Sequence, residues 1–361
     1  MKFVSEYRDE KFLRSIIKRI NQETWPDSNI MEFCGGHTVA IFKYGIRELI
    51  PSNINMLSGP GCPVCVTSNY DIDKAIEIAK LDNVIFVTFG DMMKVAGSRE
   101  NFFEVSATGY DVRFVYSPLD ALKLAKNNPD RRVVFFGIGF ETTAPAIASS
   151  IFEAKKNNIK NYYVLSSLKI TISALEKVFS LGEVKVNGII GPGHVCSITG
   201  FKDWEFIQKE LNVPCVISGF EQVDILQSIE ILLKLIKEGK TDIVNQYARS
   251  VTKDGNIKAK NMVQTVFEVV DAEWRGFGVI ERSGFKIVKE FEEFDAEKQF
   301  NFSVPETIIY SGCKCGEIIR GILKPNECGL YNKTCKPEHP IGPCMVSSEG
   351  TCAAYYNYSI V

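Results

Sequence analysis

From residue 28 to about 220 the chain alternates short apolar runs with amphipathic stretches, and that pattern restricts it to βαβ units around parallel sheets. The runs at 30–33, 54–57, 84–88, 112–116, 133–136, 162–165, 188–190 and 213–217 read as strands. Between them, 71–80, 119–127, 142–156 and 172–179 carry apolar residues every three or four positions and read as helices. Open α/β sheets bind ligands beyond the carboxyl ends of their strands, so the turns after these runs are where function is sought.

Those turns repeat weakly. CGGHT (34–38), GPGCPVC (59–65) and FGD (89–91) are followed by GFETT (139–143), GPGHV (191–195) and SGFE (218–221). The repetition predicts two similar Rossmann-like α/β domains with parallel sheets, 28–127 and 128–222, with the seam at the Asn-Asn-Pro-Asp turn of 127–130. After Glu221 long helical stretches are expected at 223–238, 243–251 and 261–271, ahead of a cysteine-rich end. With an N-terminal helix over 9–21, residues 1–27 and 223–361 then make a third, more helical domain.

The chain has 11 cysteines, a high count where structural disulfides are disfavoured, and the N-terminal MKFVSEYRDEKFLRSIIKRI has no uncharged core of signal-peptide length. Even the greasy 225–236 is broken by Gln227, Ser228, Glu230 and Lys234, well short of the roughly 18–20 apolar residues of a membrane span. A soluble, cytoplasmic protein with no membrane partner is expected. The formal charge of −2 leaves no electrostatic footprint for nucleic acid.

Six of the cysteines, Cys313, Cys315, Cys328, Cys335, Cys344 and Cys352, crowd the C-terminal segment. Four soft thiolates suffice for an iron–sulfur cluster or a zinc ion. Cys313, Cys328, Cys335 and Cys352 are spaced like neither zinc-ribbon pairs nor a ferredoxin run, which leaves cluster, zinc and metal-free thiols all open. Cys315 and Cys344 exceed the needs of one site, and surplus thiols beside a cluster can form a reducible pair.

Near the N-terminus, Cys62 and Cys65 form a C-x-x-C turn after a strand, suited to dithiol–disulfide chemistry or to half of a zinc site. CGGHT sets Cys34 and His37 three residues apart, as nucleophile and base, as a thiolate ligand for a soft metal, or as packing at a strand end. Glu141 and His194 occupy comparable turns and are candidates for proton transfer, although a carboxylate at a helix start also complements the helix dipole. GIGFET is no dinucleotide fingerprint, because Thr142 stands where the third glycine belongs. Cys196 and Cys215 read as incidental.

In that order, MEFCGGHT, SGPGCPVC, FGIGFETTAP, GPGHV, the CKCG turn and KPEHPIGPCMVSSEGTCAAYY resemble the motifs of the HypD family of hydrogenase maturation proteins. The resemblance runs from about residue 31 to the C-terminus, with Ala96-Gly97 where the family has Pro-Gly. It implies assembly of the Fe(CN)2CO centre of [NiFe]-hydrogenases together with HypC and HypE, before delivery to the hydrogenase large subunit. It further implies that Cys34 holds the transient Fe(CN)2CO iron with a HypC cysteine, that His37 tunes it or moves protons, and that Cys62/Cys65 relay electrons. Similarity of the tail to ferredoxin–thioredoxin reductase implies an Fe–S third domain with a [4Fe–4S] cluster on Cys313, Cys328, Cys335 and Cys352, and a redox pair of Cys315 with Cys344. A stand-alone Fe–S-dependent thiol–disulfide oxidoreductase is the alternative, and a zinc-stabilised binding protein the third reading.

Overall fold

A computed structural model describes residues 9–308 and 312–359. Its strands are β1 (Ser28–Glu32), β2 (Ile54–Ser58), β3 (Val84–Phe89), β4 (Val112–Val115), β5 (Arg132–Gly139), β6 (Tyr162–Leu168), β7 (Gly188–Pro192), β8 (Cys215–Ser218), β9 (Ile243–Asn245), β10 (Phe267–Trp274) and β11 (Gly278–Ile287). Two all-parallel sheets result, ordered β2-β1-β7-β8-β9 and β4-β3-β5-β6, while β10 and β11 form an antiparallel hairpin. The α/β class expected from the alternation is what the chain adopts.

The strands sort between the sheets differently from the expected division at residue 127. After β2 the chain leaves the five-stranded sheet, builds the whole four-stranded one, and returns at β7. The 127–130 turn therefore lies inside the four-stranded sheet, where Val84 of β3 pairs with Arg132 of β5 across it. The physical reason is two-sided burial. Ile30 and Met31 on β1 face opposite ways and are both fully buried, so β1 needs cover on both faces and a neighbour on each edge, and it takes β2 and β7.

Beyond residue 222 the chain is less helical than expected. Helix Gln222–Lys237 matches its apolar periodicity, but 243–251 contributes β9, because the β-branched pair Ile243 and Val244 extends the sheet beside Cys215 and Val216. The next helix stops at Val266, where FEVVDAEW takes up strand alternation and pairs with β11. The N-terminal helix Glu10–Gln22, capped by Asp9, packs Ile16 and Ile20 against helix Gln222–Lys237, and Arg19 pairs with Glu230 through both carboxylate oxygens.

Both faces of β3 and β5 are buried. Ile85, Val87, Val133 and Phe135 face one core; Val84, Phe86, Val134 and Phe136 face another. Each fully buried aromatic contributes about 1.5–3 kcal/mol. The second core runs without a break into Cys62, Cys65, Cys315, Cys328, Cys335, Cys344 and Cys352. The cysteine-rich end is therefore packed into the sheet's own core.

Candidate metal and thiol site

β1, β7 and β8 are neighbours in one sheet, so the CGGHT, GPGHV and SGFE turns that follow them emerge side by side. Phe220 lies between two imidazoles, with its ring centroid 4.3 Å from that of His37 and 3.7 Å from that of His194, both nearly parallel. The Nε2 of His37 is 2.9 Å from the Gly219 carbonyl oxygen, and its buried Nδ1 has no partner. Burial pushes the His37 imidazole down to about 4 and lowers that of His194 as well. Burial thus favours the neutral form of both rings.

Cys34 starts helix Gly35–Lys43, and its backbone N–H donates to Glu32 Oε2 at 2.9 Å. Thr38 Oγ1 donates to the other Glu32 oxygen, and the buried carboxyl is pushed up to about 7. Burial, then Glu349 and Glu32, push the Cys34 thiol up to about 12. A cation is what would make it a thiolate. The turn after β2 presses on this group: Gly35 N donates to Gly61 O at 3.0 Å, and a Cβ at Gly61 would lie 2.4 Å from the Cys34 N and Cα. Only glycine permits that approach. Glu349 arrives from the C-terminal segment, so close that a Cβ at Gly35 would meet its Cβ at 2.6 Å. Its carboxyl is raised by burial and by Asp91 of the FGD turn.

Cys62 and Cys65 are joined as a disulfide across the short helix Pro63–Val66, and both are buried. The Cys65 Sγ lies 3.9 Å from the carbonyl oxygen of Pro343, which directly precedes Cys344. The C-x-x-C turn is thus wedged between the Cys34 turn and the C-terminal cysteines.

All six of those cysteines come together. Cys313, Cys315, Cys328, Cys335 and Cys352 line one small cavity with Tyr331. Cys344, fully buried, shares hydrogen bonds with the thiols of Cys315 and Cys352, and Cys313 shares one with Cys315. The contact with Cys315, foremost, and that with Cys344 hold Cys352 down to about 6, while Cys315, Cys352 and burial push Cys344 well up. Among the described residues, no three Cys, His, Asp or Glu side chains stand in an arrangement that holds a metal ion without rearrangement. Three features nevertheless fit a thiolate-bound metal. The donors are soft and convergent. Gly342 leaves the space that Cys313 and Cys315 fill, since a Cβ there would lie 2.5 and 2.6 Å from their sulfurs. Arg275 also holds a buried, unpartnered Nη2 beside them.

Glu141 has a local occupation. Its oxygens accept from Thr171 N at 2.8 Å and Thr171 Oγ1 at 2.7 Å, satisfying the start of helix Thr171–Leu181. It follows β5 of the four-stranded sheet, whereas His194 follows β7 of the other and stacks on Phe220. Cys196 and Cys215 pack in the apolar layer on one face of the five-stranded sheet. Sequence reasoning missed Glu32, Phe220, Arg275 and Glu349. Phe220 and Glu349 sit in motifs already noted, SGFE and SSEGTC, and Glu32 adjoins CGGHT; nothing local marks Arg275.

Fold and site define a class: parallel α/β proteins that gather thiol and imidazole groups at strand ends, next to a cysteine cluster built into the core. The family model described as "HypD: Hydrogenase formation hypA family" matches residues 11–359. The chain belongs to the HypD family of hydrogenase maturation proteins. It is 42% identical over 367 residues to the hydrogenase maturation factor HypD of Azotobacter vinelandii, covering 99% of this chain and 97% of that one. It is 41% identical to the factor of the same name from Escherichia coli over 366 residues, covering 99% and 98%. Among the described residues, no helix is long and apolar enough to cross a membrane.

Proposed function

We propose that this chain acts in the cytoplasm with HypC and HypE to assemble the Fe(CN)2CO centre destined for a [NiFe]-hydrogenase large subunit. The observation that carries the reading is the unbroken contact path from Cys34 through Gly61 to Cys62/Cys65, and from Cys65 through Pro343 to the C-terminal thiols. Cys34 receives the iron as cargo. A buried thiol with so high a pKa gives up its proton only when a cation takes its place, so iron binding and thiolate formation go together. His37 shares that turn, and its unpartnered Nδ1 is the group assigned to relay the proton outward without keeping it.

Freeing cyanide from a thiocyanate-type carrier breaks an S–C bond, consumes two electrons and returns the carrier sulfur as thiolate. Oxidation of the Cys62/Cys65 dithiol to the disulfide supplies those two electrons and releases two protons. Cys315 and Cys344 are the pair placed to reduce that disulfide again, since Cys344 follows the residue that Cys65 touches. Cys313, Cys328, Cys335 and Cys352 would hold a [4Fe–4S] cluster, whose chemistry would be single-electron supply to that pair.

A stand-alone thiol–disulfide oxidoreductase would use the same cysteines but leaves the His37–Phe220–His194 stack and Cys34 without a role. The test is anaerobic co-purification with HypC and HypE, read by infrared bands of iron-bound cyanide and carbon monoxide. Cys34→Ala is expected to lose the bands while keeping iron–sulfur absorption. Bands that survive in this variant would overturn the assignment of Cys34.

A further inference from the structure

Arg275 directly follows β10 and reaches back to the C-x-x-C helix. Its backbone N–H donates to Val66 O at 2.8 Å and its Nε to Thr67 O at 2.9 Å. The Nη2 is buried without any partner. A guanidinium does not give up its proton in a protein, and burying one without an ionic partner is destabilising, so a compensating anion is called for. The charges and thiols that face it are Cys315, Cys313, Cys344 and Asp73. Asp73 is already engaged by the backbone and hydroxyl of Ser98. Neighbouring Glu273 is a carboxyl raised by burial and Asp71, and it faces the lysines Lys169 and Lys74. Of the groups around the guanidinium, the thiol cluster is the one not engaged elsewhere, and Arg275, Cys313 and Cys315 line one cleft.

We propose that Arg275 is the built-in counter-cation of an anionic metal–thiolate assembly at the C-terminal cysteines, a positioning residue that also ties this assembly to the C-x-x-C turn. The inference rests on the metal-binding reading above. It accounts for an otherwise unpaid charge in the core, and it makes the carbonyls of Val66 and Thr67 the mechanical link between the two thiol sets. Reduction adds negative charge to the assembly, so a fixed cation beside it favours the reduced form.

The test uses the full chain purified without oxygen, as wild type, Arg275→Gln and Arg275→Lys. Iron and sulfide content, the midpoint potential of the visible chromophore and the thermal stabilisation conferred by iron loading are measured. Arg275→Gln is expected to shift the reduction equilibrium about tenfold toward the oxidised form, about 59 mV for one electron, and to shrink the stabilisation by iron. Arg275→Lys keeps the charge but loses the bond from Nε, and is expected to stay within about threefold of wild type. A potential and iron content unchanged in Arg275→Gln, or an equal shift in Arg275→Lys, would overturn the proposal. If Arg275→Gln does not fold, Arg275→Lys decides, since a tenfold shift with charge retained refutes an electrostatic role. Iron-free wild type would instead end the metal-binding reading itself, whereas iron-loaded wild type with an unshifted Gln variant ends only this inference.

Discussion

The sulfur of Cys65 sits 3.9 Å from the carbonyl oxygen of Pro343, 278 positions further along the chain. That contact sets an N-terminal C-x-x-C turn against the residue preceding Cys344, and makes one cysteine system out of two distant motifs.

Cys65→Ser therefore tests the relay without touching either end of it. Hydrogenase maturation in cells carrying the variant is expected to fall at least about 100-fold, because exchange through Cys62 has no second thiol to resolve it. Iron–sulfur absorption of the isolated protein should be retained. Full maturation by the variant would remove the C-x-x-C turn from the electron route.

Gly61→Ala tests the packing of one turn upon the other. The added methyl would meet the backbone of Cys34 at 2.4 Å, where no flexible side chain is available to yield. Overpacking of this kind costs about 1–3 kcal/mol. Denaturant unfolding should show that loss, and assembly of the iron centre should fall further than stability does. An unchanged unfolding midpoint would mean that the two turns separate in solution.

Glu141→Gln separates a helix-start role from proton transfer. Gln keeps an oxygen for Thr171 N–H but turns its N–H₂ toward Thr171 Oγ1, which must give up its own donation and accept instead, and the charge-assisted bonds are lost, at about 1 kcal/mol. Stability is expected to drop while maturation per folded molecule stays within about threefold. Loss of maturation with stability intact would restore Glu141 as a proton carrier.

Glu230 provides the pH dependence. The hydrogen bonds from Arg19, foremost, and Lys234 outweigh desolvation and hold its carboxyl down to about 2. A depressed carboxyl contributes stability above its unfolded value near 4.5, and that contribution fades as pH falls toward 2. Wild type should exceed Glu230→Gln by about 1 kcal/mol at pH 7, a modest figure because Arg19 is half exposed, with the gap closing between pH 4.5 and 2. Parallel unfolding curves at both pH extremes would refute the pairing.

Much of the fold was legible because burial on both faces writes itself as continuous apolar runs, as in VIFVTF of β3 and VVFF within β5. The helix read at 243–251 failed because Ile243 and Val244 suit a strand as well as a helix, and the open edge of β8 decided between them. The candidate site was legible where glycine and cysteine coincide, since glycine marks close backbone approach, as Gly61 does against Cys34. Arg275 was invisible, because nothing in its neighbours signals that its guanidinium ends beside Cys313 and Cys315.

By itself the sequence determined the α/β class, most strand positions, the helices with clear periodicity and the identity of the cysteine and histidine motifs, all properties carried by local patterning. Tertiary structure alone decided which strands share a sheet, that Phe220 stands between His37 and His194, and that Cys65 touches the residue before Cys344. Strand partners and long-range contacts are chosen by competition for burial among segments far apart in the chain, and no local pattern records the outcome of that competition.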